Sequence, residues 1–410
     1  MVRSTNYERI SSKCSRQARS EIYGSHGLRS LRLIPCGMVQ HGAAPLIEHG
    51  QGRSAYISAR TSTLKAPAIP ESVQMSRNNP IDAIRNSAFQ MTIDPPDDAS
   101  DIKGMYVING SMHIIKGRGI YRVQLADEID PKRTNATIPN TQQRVLPYGA
   151  DCELVRQTLM TAKRLFDSKL LGQSFNEVRA IELAFDALKD IILMHTMRLD
   201  IDATLQKITV TLDAMALKNR SLSVPSVGEA KGMAETFIQK ADHAMTDLYE
   251  IAKLFYGDAL GKRWFESLLS LVKEKHGDDI VFAKFLEDVL PFLRLIRNAR
   301  NCIEHPKPDQ RVAVTDIVLL PTGQLQPPGI EIIHPDTPQP PIALTNFMAQ
   351  MIEQLAEIFE LMMVFLCGLN VQPFAGFPVQ VVLYPPELQK AYGVRYGYGT
   401  YNGDRVVPFG

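Results

Sequence analysis

The sequence has only five cysteines, Cys14, Cys36, Cys152, Cys302 and Cys367, and no two of them form a C-x-x-C pair. An odd, widely spaced set excludes a disulfide scaffold and a cysteine zinc site. The nine histidines are equally scattered, with no H-E-x-x-H, so neither a metal nor a cofactor is expected. Long apolar runs are missing as well. The nearest approach, "LMMVFLCGL" at 361 to 369, is half the length of a membrane span and follows Glu353, Glu357 and Glu360 on the same expected helix. A membrane role is therefore not expected, and a cytoplasmic protein is. There is also no excess of charge of one sign. Lysine plus arginine number 45 against 44 acids, a net charge of +1, so no global field draws nucleic acid to the chain, and any basic surface must be local.

What is present belongs to an ordinary globular protein: 410 residues, 45% hydrophobic and 22% charged. The first 70 residues carry ten Lys or Arg against three acids and no hydrophobic stretch of the secretory type. Residues 1–100 therefore read as a basic arm, either disordered or preceding a true start near Met75. In 101–149, Asn109-Gly110 and Gly117-Arg118-Gly119 punctuate β-branched and aromatic runs, which predicts a small β meander near 105–125 followed by a polar strap. From 150 to 370 the helical period dominates. Helices are expected near 151–171, 175–197, 203–218, 227–256, 261–275 and 279–304, with capping boxes at Ser174 to Glu177 and Ser226 to Glu229 and an Asp N-cap before the last. An inserted β hairpin is expected near 311–334, within 307–342, and then a Thr345-capped helix with a methionine-rich stripe that reads as core. Residues 371–410 offer one strand and a Tyr/Gly-rich, surface-packing tail. The fold class predicted is mainly α, an antiparallel helical bundle with small β elements.

The densest polar cluster is "RNARNCIEHP", Arg297 to Pro306, at the end of the 279–304 helix. On a helical projection Val289, Phe292, Leu295, Ile296, Ala299 and Ile303 share an apolar sector. Arg294, Arg297 and Asn301 lie opposite, Asn298 lies to one side and Arg300 lies at the border. Pro306 disfavours helical geometry at His305, so the imidazole is redirected off the helix.

Arg300-Asn301-Cys302-Ile303-Glu304-His305 fits R-N-x-x-x-H and resembles the signature of the HEPN superfamily of small α-helical domains. The resemblance covers these six residues and their helical context. It implies a motif near the end of a bundle helix. Many members are metal-independent endoribonucleases, frequently toxins or defence effectors that pair two motif helices in a dimer, and others are non-catalytic nucleotide-binding or assembly modules.

The chemistry can also be argued without the resemblance. Cleaving RNA without a metal needs a proton acceptor for the 2′-OH, a proton donor for the leaving oxygen, and a cation for the developing phosphorane. Histidine titrates near neutrality and suits proton transfer, while arginine's charged planar fork matches phosphate. The candidate catalytic residues are therefore Arg300, His305 and Asn301, and the candidate substrate-binding residues are Arg294, Arg297, Asn298 and Lys307. The expected partners are a second copy of the chain, RNA, and a protein partner or antitoxin. The competing reading is a non-catalytic assembly protein in which Arg, Asn and His simply cap the helix. Elsewhere, His195 reads as a core or capping histidine. His243 and Asp247 share a helix face with no third metal ligand, and Cys302 lies on the buried flank.

Overall fold

The computed structural model describes residues 80–87, 98–212, 221–261, 264–374, 376–403 and 405–409. The basic arm up to residue 79, the Met75 start and the helix end expected at 218 lie outside them. Residues Pro80–Ser87 form a short helix, α1, with Asp82 in its first turn and Arg85 in its last, an arrangement that complements the helix dipole. Residues Gln90–Gly410 form a separate compact unit.

That unit starts with an antiparallel sheet in the order β1-β2-β3-β4, made of Gly104–Ile108, Ser111–Ile115, Ile120–Gln124 and Thr141–Leu146. Asn109 and Gly110, at φ 50° and 71°, form the β1–β2 turn, the left-handed pair that a two-residue hairpin turn requires. Alternation puts Ile114, Tyr121 and Val123 on one buried face. A one-turn helix, α2 (Ala126–Ile129), separates β3 from the polar strap.

Next comes a broken helix: α3 (Glu153–Val155), a π-helical turn at Arg156–Met160, and α4 (Thr161–Leu165), followed by the short α5 (Ser168–Leu171). The long α6 (Glu177–Leu212) and α7 (Ala230–Tyr256) then pair, with α8 (Phe265–His276) and α9 (Val281–Glu304) after them. The last long helix is α10 (Leu344–Asn370). It packs on α6 and α7, so α7 is central, touching α6, α9 and α10. Met348, Met351, Met362 and Met363 of α10 are buried, and the methionine stripe is core. Pro291 sits inside α9 on its exposed face, where the helix hydrogen bond it removes opens to water.

The expectation of a mainly α, all-α bundle is corrected. Among the described residues the chain is a mixed α/β protein, 52% helix and 20% strand, with four antiparallel sheets. The single hairpin expected after the motif helix is a three-stranded sheet of β5 (Arg311–Thr315), β8 (Gly329–Ile333) and β9 (Gln339–Ala343), in the order β5-β8-β9, with a ribbon of β6 (Val318–Leu319) and β7 (Leu325–Gln326). The tail holds three strands rather than one: β10 (Gln380–Leu383), β11 (Tyr396–Asn402) and β12 (Arg405–Pro408), with a short α11 (Pro386–Tyr392) between β10 and β11. Glycine and tyrosine masked this sheet, because glycine lowers strand propensity. Gly397 is nonetheless required, since a Cβ there would overlap the Tyr384 ring. Tyr384 and Tyr398 are fully buried rather than surface residues, and the Tyr398 hydroxyl donates to the Leu165 carbonyl at 2.7 Å.

Helix starts also differ from the capping-box expectation. Asn176, not Ser174, caps α6 by accepting from the Arg179 N–H at 3.0 Å, while Glu177 turns to Lys163 and Ser168. Ser226 donates to Asp316 instead of capping α7. Ile280 and Ala343 precede α9 and α10 without a side-chain cap. Tertiary partners have taken over the side chains that the local pattern would assign to the backbone. The expected 175–197 and 203–218 helices are one helix through Leu212.

Candidate functional site

The end of α9 is anchored on three sides. Arg294 reaches Glu266 on α8 at 2.7 Å. Arg297 donates from Nη1 to both oxygens of Asp242 on α7, at 3.1 and 3.0 Å, and its guanidinium lies 4.7 Å from the centroid of the Trp264 ring. Asn298 donates to Thr337 Oγ1 at 3.1 Å, and the Cys302 thiol faces the Ile333 carbonyl at 3.9 Å, which ties α9 to the β5-β8-β9 side. Asp242 is 4% exposed. Its burial outweighs the attraction of Arg297, Arg300 and His243 and holds its carboxyl above the usual range. Burial likewise raises the Cys302 thiol, which makes it a poor nucleophile.

The second Arg-Asn pair is differently placed. Arg300 contacts Glu304 Oε2 at 2.6 Å and, more loosely, Asp242 at 3.8 Å, and its Nη1 donates weakly to Asn301 Oδ1 at 3.4 Å. Asn301 and His305 are exposed. His305 leaves the helix at φ −132°, ψ 61°, and its backbone N–H donates to the Asn301 carbonyl at 2.8 Å. The cap is thus made by the main chain, and the imidazole has no partner among the described residues. Lys307 begins a tight turn closed by reciprocal backbone hydrogen bonds with Gln310, and its ammonium is exposed.

Of the seven residues picked from the sequence, the structure draws Arg297 and Arg300 together on Asp242. It commits Arg294 and Asn298 to neighbouring elements and leaves Asn301, His305 and Lys307 open to solvent. The sequence reading missed Asp242 and Trp264. Asp242 lies 55 residues before Arg297, and no local pattern announces such a pair.

A second polar centre was also missed. Glu360 on α10, 1% exposed, accepts from the Arg395 Nε at 2.8 Å, from its Nη2, and from the Thr161 hydroxyl at 3.2 Å. Burial raises the Glu360 carboxyl despite Arg395. Thr161 follows the π-helical turn and also donates to the Arg156 carbonyl at 2.8 Å. Glu360, Arg395 and Arg156 line a cleft of about 640 Å³ together with Lys103 and Lys390. Nearby, Arg164 stacks on Tyr392 at 4.3 Å and donates to the Tyr384 hydroxyl at 2.7 Å.

His195 is half-buried, edge-on to Tyr148 at 5.5 Å, and burial lowers its pKa. His243 sits 3.6 Å from Asp190 rather than in a ligand set with Asp247, and among the described residues no His, Cys, Asp and Glu cluster fits a metal. Asp247 is the notable acid there. Its own burial, followed by Asp186 and Asp190 across the α6–α7 seam, pushes it up to about 7, against the pull of Arg179 and Lys189. With its folded pKa above the unfolded value near 4, the folded chain holds this proton more tightly. The stability it contributes is full below about pH 4 and is lost as pH rises through about 7. Asp247→Asn is therefore expected to flatten the fall in melting temperature between pH 5 and pH 8. Identical slopes for the two proteins would contradict the assignment.

Among the described residues no helix is long and apolar enough to cross a membrane. Comparison of the chain with protein-family models, with curated proteins and with solved structures finds no match.

Proposed function

We propose that this protein is a HEPN-like, RNA-binding endoribonuclease that works without a metal, as a homodimer, with Arg300, Asn301 and His305 at the reacting phosphodiester. The observation that carries the reading is the free imidazole of His305. The backbone N–H of residue 305 caps α9, and any residue but proline would cap it equally well, so capping does not account for the histidine. An exposed imidazole at the same helix end as an arginine and an exposed asparagine offers the groups that proton transfer and phosphate binding call for.

The other cations divide by role. Arg294, Arg297 and Asn298 hold the helix in place. Lys307, exposed next to His305, is the cation available to an incoming phosphate. One imidazole per chain serves as either acid or base, and a second copy of the chain supplies the other.

Glu304 gives the reading a further check. It neutralises Arg300 in the free protein, so a phosphate must displace it. Glu304→Gln is expected to tighten RNA binding and to steepen its salt dependence by about one unit of log K against log salt, because one more cation meets phosphate. A titration of labelled RNA between low and moderate salt reads both, and an unchanged slope would place Arg300 outside the contact.

The test of the activity itself is incubation of the purified chain with total RNA in EDTA, beside Arg300→Ala and His305→Ala. Cleavage by the parent chain and loss in both variants, with melting curves unchanged, is the expected result. Equal cleavage by all three would sink the proposal. The assembly reading has one observation in its favour, the burial of Asp242 beneath two arginines. It predicts that Arg300→Ala alters melting or oligomeric state instead.

A further inference from the structure

Next to α9 lies a cleft of about 670 Å³, between the last turns of α7, residues Gly257 to Gly261, and Trp264 just before α8. Tyr249, Glu250, Lys253, Asp258, Trp264 and Arg297 line it. Trp264 stands at φ 60°, and its indole N–H is shut away from solvent without an acceptor. A bulky residue with positive φ and a buried unsatisfied donor are both unfavourable. Two such penalties on one residue mark a position held by its surroundings rather than by its own preference.

The electrostatics of the cleft decide what suits it. Lys253 is taken up by Glu250 at 2.5 Å, and Arg297 by the buried Asp242. Neither is a free cation for a phosphate or carboxylate. What remains on offer is shape. The guanidinium of Arg297 is pinned at one end by Asp242 and lies over the Trp264 ring, and the side chain, 36% exposed, lines the cleft. The Trp264 ring in turn meets Phe265 edge-on at 4.6 Å, and Tyr249 meets Phe265 at 5.3 Å. A planar cation backed by aromatic rings, in a cleft where two acids and two cations balance among the described lining residues, recognises a flat π-face.

We infer that this cleft receives the unpaired base of a single-stranded RNA nucleotide, stacked on Arg297 above Trp264. The inference rests on the proposed function for the identity of the polymer. Arg297 and His305 are eight residues apart, about 12 Å along the helix axis, so a strand with its base in the cleft can run its backbone along the α9 end to the exposed Asn301 and His305. The cleft thus reads a neighbouring base, while the motif acts on the backbone.

Trp264 is the chain's single tryptophan, so its emission reports on the cleft directly. The experiment uses the full-length His305→Ala chain, which leaves RNA intact, titrated with a single-stranded RNA octamer, its abasic counterpart, duplex RNA of the same sequence, and AMP or UMP. A saturable change in emission with the octamer is expected, with binding at least about tenfold weaker for the abasic strand and for the duplex. Arg297→Lys, which keeps the charge beside Asp242 but loses the plane, is expected to weaken octamer binding by a similar factor.

Equal binding of abasic and base-bearing strands overturns the inference, and that comparison needs no variant at the cleft. A mononucleotide that binds as tightly as the octamer makes a free nucleotide the occupant and overturns the RNA assignment. If the parent chain fails to cleave RNA while base-dependent emission persists, the nuclease reading falls and the cleft stands.

Discussion

His305→Ala is expected to lower RNA cleavage by about 10²- to 10⁴-fold, the range a positioned acid–base group contributes, while leaving the melting curve in place. The second half of that expectation follows from the structure. The His305 side chain is exposed, and the residue's fixed bond is the main-chain one to Asn301, so alanine retains the cap. Arg300→Ala is a less clean probe, because it also removes the Glu304 contact and part of the charge around Asp242. Its pairing with His305→Ala is informative for another reason. Groups that act on one transition state are not additive, so the double variant should be little worse than either single one. A double variant that loses the product of the two effects would indicate independent roles, such as binding for one residue and chemistry for the other.

Arg395→Ala is expected to destabilise the fold by about 1–3 kcal/mol, less than the ~3–5 kcal/mol of a fully buried pair, because Glu360 is buried but the Arg395 side chain is 37% exposed. Glu360 is fully buried and would keep only the shared Thr161 hydroxyl. The loss should shrink on acidification, because a stranded carboxyl binds a proton more tightly in the folded than in the unfolded chain. Arg395→Met combined with Glu360→Gln should recover much of the stability, since matched removal of both charges avoids the uncompensated one. Denaturant melts of the three proteins at two pH values check this. If the single variant melts like the parent chain, the pair has no structural role and its cleft becomes the more interesting for it.

The contrast between these two experiments reflects how much could be read from the chain. The long helices were legible because each buries a continuous stripe at helical spacing, as Val289, Phe292, Leu295, Ile296 and Ala299 do on α9. The end of α9 was legible because Pro306 makes the exit of His305 a local matter. Three things were hidden. The tail sheet carries glycines where strands ordinarily have β-branched residues, and Gly397 and Gly399 are explained only by the ring and strand packed against them. Caps were misassigned where a distant partner outbid the backbone, as Asp316 does for Ser226. The surroundings of Arg297 and Arg395 depend on Asp242 and Glu360, which are remote in sequence, so neither the tie of Arg297 to a buried carboxylate nor that of Arg395, in what read as a surface-packing tail, could be seen locally.

The central claim is that the ribose 2′-OH of the RNA is the nucleophile at the α9 end. The most direct measurement is cleavage, in EDTA, of a short single-stranded RNA and of the same strand carrying a single 2′-deoxy nucleotide at the mapped cut. The account predicts cutting of the first, a 2′,3′-cyclic phosphate on its product, and no cut at the modified position. Cutting at the deoxy position, or activity that appears only when a divalent cation is restored, would contradict it.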